Sequence, residues 1–425
     1  MSARFWFLAV GSLLFPVLAS AQSVTLQHKH FLFTLKAQLD WSTEAEAWTY
    51  EGFDVRLPPQ AFGTGSSLPA GLVRTVHRTW DRAVIATRVR ELVSTPFDRP
   101  ARAVTIRTQS GAIVFDGVGM PGRSVDVEAT VELVVAALEQ GVPRIVLPVA
   151  EAPPVVTVTD PALRQQGITE LVTIGESDFH NSPANRVHNI DVGIRRFNAH
   201  LIPQGSVFSF VETLGPVNAS TGYRKELVIK GDRTEPDYGG GLCQISSTAY
   251  RGVWEYGFPI TQRKNHSFAV GHYAPQGTDA TIYPPDVDLK FRNDSPGALL
   301  IQTYTEDEKA YFLFYGTRDT RQAEVVGPFT WAHVPAPPQR TEETTEIPAG
   351  TTRKVGEATP GLRALWFRGL RLPTATGAIV RTEQVHSHYQ ARPRYIEVGV
   401  EAVSTPASLE LPPFLEAPSW ITPGA

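Results

Sequence analysis

The spacing of apolar and polar positions changes period several times along the chain. Val104-Thr105-Ile106-Arg107-Thr108 alternates, Gln109-Ser110-Gly111 interrupts, and Ala112-Ile113-Val114-Phe115 follows, which predicts a hairpin. Asp126 to Leu138 predicts an amphipathic helix with acidic residues in its first turn, stopped by Gly141. Arg144 to Val149 predicts a further strand, and Ala152-Pro153-Pro154 begins a linker. Apolar residues at Val187, Ile190, Ile194, Phe197 and Leu201 have helical spacing, and Pro203-Gln204-Gly205 ends that run. Val207 to Phe210 and Glu226 to Lys230 predict strands. Ile245, Thr248, Ala249, Gly252, Val253 and Tyr256 mark a second helix packed by a small-residue face. Leu289 to Arg292 and Leu299 to Tyr304 predict strands around the turn residues Asn293 to Gly297, with Ala310 to Tyr315 as a partner strand.

These patterns predict an α+β, multidomain chain with a central mixed α/β domain and an all-β C-terminal module. The expected boundaries are a signal peptide at 1–21, an N-terminal α+β region at 22–156, the central domain at 161–325, a small β module at 330–400 and a Pro-rich tail at 401–425. Arg4, the apolar run from Phe5 to Leu18 and the small residues Ala19-Ser20-Ala21 form the export signal, with Gln22 beginning the mature chain. An uncleaved anchor is the alternative, and the only route by which a membrane enters; the apolar run is short for a span. The expected location is therefore outside the cytoplasm, in the periplasm or cell envelope.

The chain has 425 residues, 42% of them hydrophobic, and a formal net charge of -4. No basic block stands out, which argues against a nucleic-acid partner, since phosphate binding needs clustered Lys and Arg. The single cysteine, Cys243, cannot form an internal disulfide. An exported thiol is prone to oxidation, so its presence asks for burial, dimerisation or chemistry.

Gly239-Gly240-Gly241 precedes Leu242-Cys243-Gln244, and the second helix follows at once. Glycines here permit unusual backbone angles and close approach of a substrate. A cysteine at a helix start sits among unpaired N–H groups and the positive dipole end, which favour thiolate. Those N–H groups also suit an oxyanion. His266 is the first choice of base and His272 the second; Asp279 or Asp286 would orient the imidazole. Arg186 and His188 are placed to hold a carboxylate, and Gly240, Gly241, Gln244 and Ser246 complete a substrate-binding set. Zinc held by Cys243, His266 and His272 is a third arrangement, matching no common zinc spacing. No metal and no cofactor enter the preferred reading.

Asn185-Arg186-Val187-His188-Asn189-Ile190, the segment Gly239 to Tyr250, Asn265-His266-Ser267, Asp279-Ala280-Thr281 and Asp288 to Asn293 together resemble the VanW domain over roughly residues 170–320. Val104 to about Val156, with Pro121 to Asp126, resembles a domain type assigned to peptidoglycan binding that often precedes VanW. Ile347 to Gly350, Pro360-Gly361 and Tyr389 to Gly399 resemble the five-glycine β module that often follows it. The resemblance implies a cysteine acyl-enzyme, with L,D-transpeptidase-like cross-linking of peptidoglycan stem peptides, and Cys243 matches the family cysteine. The alternative is a non-catalytic envelope protein that binds peptidoglycan stems and glycan, linked to wall maintenance or glycopeptide resistance. A metal-dependent amidase is the third.

Overall fold

A computed structural model describes residues 23–55, 71–230, 233–374 and 377–401 of the chain. The segments expected to be a signal peptide and a Pro-rich tail fall outside these residues, apart from residue 401. The described chain is mixed and strand-rich, built from several sheets. None of its helices is long and apolar enough to cross a membrane.

A four-stranded antiparallel sheet forms the middle layer, ordered Glu170–Asp178, Lys309–Gly316, Leu299–Glu306 and Leu201–Ile202. Alternation along these strands gives the sheet two apolar faces. Val172, Leu299, Ile301, Phe312 and Phe314 join the core shared with the helices Ala184–Arg195 and Leu242–Tyr256. Leu171, Leu300, Leu313 and Tyr315 join the core beneath the hairpin Val104–Gln109 and Ala112–Gly117. Each large side chain buried this way stabilises the fold by about 1.5–3 kcal/mol. The hairpin turn is at Ser110 and Gly111, both left-handed, as a two-residue turn between twisted strands demands.

A second core lies further toward the N-terminus. Ser23–His28 pairs antiparallel with Phe31–Lys36 and parallel with Arg144–Val146. The helices Arg82–Val89 and Val127–Gln140 cover this sheet around Leu26, Val89 and Val134. Asp126 caps the second helix by accepting from the Ala129 N–H, and Gly141 closes it in a left-handed conformation. The long ladder between Ser42–Tyr50 and Leu72–Trp80 has no counterpart among the sequence expectations.

The helix expected from Val187 to Leu201 ends at Arg195. Phe197 is fully buried beyond it, Ala199 turns left-handed, and Leu201 enters the sheet. The apolar spacing continues past the helix because Phe197 fills the core on the helix side of the sheet and Leu201 packs against the core on its other face. In the β module, Gln322–Val334, Gly361–Thr374 and Gly377–Tyr389 form one antiparallel sheet, beginning before residue 330. This sheet is fused to the central core: Trp366 packs edge-on to Trp254, and Arg368 donates to the Trp254 carbonyl at 2.8 Å.

The Leu242–Tyr256 helix lies almost backbone to backbone on Glu170–Asp178. A Cβ at Gly175 would stand 1.9 Å from the Thr248 carbonyl oxygen, and one at Gly252 would stand 2.6 Å from the Gly175 nitrogen. Gly175→Ala is therefore expected to destabilise the chain by about 3 kcal/mol or more. Gly271→Ala, where an added Cβ meets nothing within 4 Å, should stay within about 0.5 kcal/mol. Denaturant midpoints of the two variants check this, and equal midpoints would refute the close packing.

Candidate functional site

Gly241 caps the Leu242–Tyr256 helix at φ 110°, a conformation glycine adopts without strain. Gly240 beside it has no room for a side chain, since a Cβ would lie 2.8 Å from both Glu226 Cβ and the Leu227 carbonyl oxygen. The glycine run thus lets the helix start wedge between the Ala184–Arg195 helix and the strand Lys225–Lys230. Asn189 fixes the wedge: its amide nitrogen donates to the Gly240 and Arg224 carbonyls at 3.1 and 2.9 Å, and its oxygen accepts from the Arg224 N–H.

Cys243 is half-buried at the first turn of this helix. Its sulfur lies 3.6 Å from Thr281 Oγ1 and 3.8 Å from the Ile282 carbonyl oxygen. The helix itself holds that neighbouring segment in place. Ser246 Oγ donates to the Ala280 carbonyl at 2.5 Å, and Ser247 Oγ accepts from the Ala280 N–H at 3.0 Å. Asp279 and Thr281 are consequently fixed on either side of a residue pinned to the cysteine helix.

Asp279 is almost fully buried and both its oxygens are occupied. Oδ2 accepts from the His266 backbone N–H at 2.8 Å and interacts with His266 Nδ1 at 2.6 Å. Oδ1 accepts from Arg263 Nη2 at 3.2 Å and from the Tyr389 hydroxyl. His266 stacks on Tyr273 with ring centres 4.3 Å apart, and its Nε2 has no hydrogen-bond partner among the described residues.

The electrostatics follow from this packing. Burial pushes the Cys243 thiol up, but His266 first, then Ile282 and Thr281, outweigh it and bring the pKa below its ordinary value. Burial lowers His266, yet Asp279 and the Cys243 thiolate reverse that and raise it to about 9. Burial would raise Asp279, but His266 and Arg263 hold its carboxyl well below the usual range. The three shifts run in one direction, toward thiolate on Cys243, imidazolium on His266 and carboxylate on Asp279.

Cys243, His266, Gly240, Gly241, Arg186 and His272 line one open cleft of about 960 Å³. Arg186 reaches it while donating to Ser182 Oγ at 2.5 Å and to Gln244 Oε1 at 2.8 Å. Burial and Arg186 keep His272 below the usual imidazole range. Three expected substrate-binding side chains are turned elsewhere. His188 Nε2 contacts the Gly222 carbonyl at 2.9 Å, away from the cleft lining. Gln244 is fully buried, donating to Ser177 Oγ and to the Asp178 carbonyl. Ser246 is spent on Ala280. Of the two candidate orienting carboxylates, Asp279 contacts the imidazole, and Asp286 is exposed. No group of three His, Cys, Asp or Glu side chains among the described residues is arranged to hold a metal ion.

Arg263, Tyr273, Thr281 and Tyr389 were not singled out from the sequence. Thr281 lies within the quoted segment Asp279-Ala280-Thr281 without being given a role, and Arg263 stands just ahead of Asn265-His266-Ser267, where a wider window would have caught it. Tyr389 lies 110 residues from its partner Asp279, beyond any local signal.

Residues 185–315 match the family model described as VanW like protein, so the chain carries a VanW-like domain. Over 125 residues it is 34% identical to the "Uncharacterized protein YoaR" of Bacillus subtilis (strain 168), covering 29% of this chain and 41% of that one. Over 131 residues it is 30% identical to the "Vancomycin B-type resistance protein VanW" of Enterococcus faecalis (strain ATCC 700802 / V583), covering 29% and 47%. The chain thus spans less than half the length of either curated relative. A solved structure titled "IgA1 Protease G5 domain structure" aligns along all its length with 20% of this chain, at 18% identity and TM-score 0.12, too low a score to assign a fold.

Since a lowered thiol pKa leaves more thiolate present as pH falls, the pH–rate profile for iodoacetamide alkylation of Cys243 should have its midpoint below the ordinary thiol range of about 8.5. His266→Ala removes the compensating cation and leaves the burial. The titration should then move above that range, and alkylation at pH 7 should slow at least about tenfold. A pH–rate profile unchanged by the substitution would rule out the ion pair.

Proposed function

We propose that this chain is an exported peptidoglycan-modifying protein that performs cysteine-dependent, L,D-transpeptidase-like acyl transfer on stem peptides. The observation that carries this reading is that Cys243 and His266 line one open cleft, with Asp279 buried behind them on His266 Nδ1. The VanW-like domain supports the wall setting, since one curated relative is named for vancomycin resistance.

In this mechanism the Cys243 thiolate attacks the carbonyl that joins the L-centre of the third stem residue to D-alanine. The tetrahedral oxyanion needs donors. The Leu242 and Gln244 amides already donate to the Gly239 and Gly241 carbonyls, at 3.0 and 2.9 Å. That leaves the Cys243 N–H as the helix-start donor available to it. His266, already protonated at neutral pH, passes its Nε2 proton to the departing D-alanine nitrogen, and the C–N bond breaks to leave a thioester. The amine of a second stem attacks the thioester, its proton moves to His266, and the thiolate leaves. Water as acceptor would give a carboxypeptidase instead. Asp279 keeps Nδ1 of the imidazole engaged throughout, so that Nε2 is the atom left to exchange protons.

Purified protein given disaccharide tetrapeptide donors and an acceptor stem should release D-alanine and form cross-linked dimers, with a thioester adduct on Cys243 in the mass spectrum. Cys243→Ala should lower turnover by about a thousandfold or more. Turnover retained by that variant would refute the assignment. A wild-type chain that binds sacculi without turnover would favour a wall-binding role.

A further inference from the structure

The VanW-like match ends at residue 315, yet the cluster it contains is completed from the β module that follows. The strand Gly377–Tyr389 ends beside Asp279, and alternation puts Ser387 and Tyr389 on the same face, both buried, while His388 between them is exposed. Tyr389 accepts from the Gly277 N–H at 2.6 Å and donates to Asp279 Oδ1. Ser387 Oγ accepts from Arg263 Nη1 at 3.0 Å. The same guanidinium donates to the Asp279 and Gly277 carbonyls at 2.7 and 3.1 Å and to Asp279 Oδ1.

Two further contacts tie the histidine loop to the module. The Gln390 N–H donates to the Ser267 carbonyl at 2.7 Å, and Asn265 Nδ2 donates to the His388 carbonyl at 2.8 Å. Val355, Glu357 and Gln390 line the same cleft as Cys243. The module is therefore in contact with the cluster at the carboxylate, the histidine loop and the cleft wall.

The geometry points to Tyr389 as a positioning residue: its hydroxyl holds one oxygen of Asp279 so that the other stays aimed at His266. This rests on the reading that Cys243, His266 and Asp279 act together. A carboxylate with only one oxygen engaged is free to rotate about its last side-chain bond. Here Tyr389 and Arg263 take Oδ1 and His266 takes Oδ2, so rotation would break bonds on both sides. The charged and titratable groups around the imidazole are Cys243, Asp279, Tyr273 and, through Asp279, Arg263. Losing the Tyr389 hydroxyl has two opposed consequences that can be told apart. An Asp279 relieved of a donor but still aimed would be a stronger acceptor and would raise His266. An Asp279 that swings away lets His266 fall toward the ordinary imidazole value.

The test is the His266 titration by NMR of ¹⁵N-histidine-labelled full chain, assigned by the signal lost in His266→Gln. It is run with and without Tyr389→Phe, each also in a Cys243→Ala background to uncouple the thiol. The expected result is a fall of about one pH unit or more, a roughly tenfold loss of imidazolium at fixed pH. A native melting temperature together with an unmoved or raised His266 titration would overturn the proposal. If Tyr389→Phe does not fold, Ser387→Ala, which loosens Arg263 while leaving Tyr389 in place, should give a smaller fall in the same direction; no fall overturns it equally. Absence of muropeptide turnover in the wild type would sink the acyl-transfer reading and leave this result standing. An unmoved His266 in a chain that does turn over would sink this inference alone.

Discussion

A carboxylate removed from water must be supplied with donors, and the centre of this molecule is organised around supplying them to Asp279. An ionised group buried without partners would take up a proton instead. Asp279 avoids that by accepting from the backbone and side chain of His266, from Arg263 and from Tyr389. The donors arrive on two pieces of chain, the 263–266 segment and the distant strand end at Tyr389, so the need to satisfy one side chain fixes the relation between them. The carboxylate's charge then holds the imidazole protonated, and the imidazolium offsets what burial does to the thiol. Three titrations are thereby coupled, Asp279 to His266 through hydrogen bonds and His266 to Cys243 through their charges.

The helix that carries Cys243 does more than present it. Its small residues let it lie on the sheet with almost no side chain between, at Gly175 and Gly252. Its serines pin Ala280, and with it the flanking Asp279 and Thr281. Its buried Glu255 accepts from the His30 backbone at 2.9 Å, binding the N-terminal core to the same element. One residue before Glu255, Trp254 and the Trp254 carbonyl meet Trp366 and Arg368 of the β module. A rigid element anchored at this many points suits a nucleophile whose geometry must be held against its partner.

Much of this was legible in the sequence, and the part that was not has a common cause. Caps and turns such as Asp126, Gly141 and Ser110-Gly111 depend on a few adjacent residues, so local chemistry sufficed. The Gly239–Gly241 run ahead of Cys243 and the nearby His266 and Asp279 were legible for the same reason, since their types carry the chemistry wherever they fall. Gln244 and Ser246 were misread because a polar residue near a candidate nucleophile looks available. In the fold their amide and hydroxyl are consumed by Ser177, Asp178 and Ala280, which the helix periodicity alone does not reveal. The over-long helix through Leu201 has a similar origin: Phe197 and Leu201 are both apolar at helical spacing, but they serve cores on opposite faces of the sheet by different backbone paths.

The position of Tyr389 bears on how such a chain divides its labour. A module joined only by a flexible linker would not bury its strand end against the Asp279 carboxylate. Here the Arg263 guanidinium reaches from one to the other, Trp366 lies in the central core, and Trp366 Nε1 donates to the Gln276 carbonyl at 2.8 Å. Separating the pieces would expose Trp366 and leave Asp279 short of a donor inside a largely buried pocket, costs of the kind that bind domains permanently. The central domain and the β module are for that reason better regarded as one packed unit, whose cleft has walls from both and whose Asp279 gains its full set of donors only when both are present.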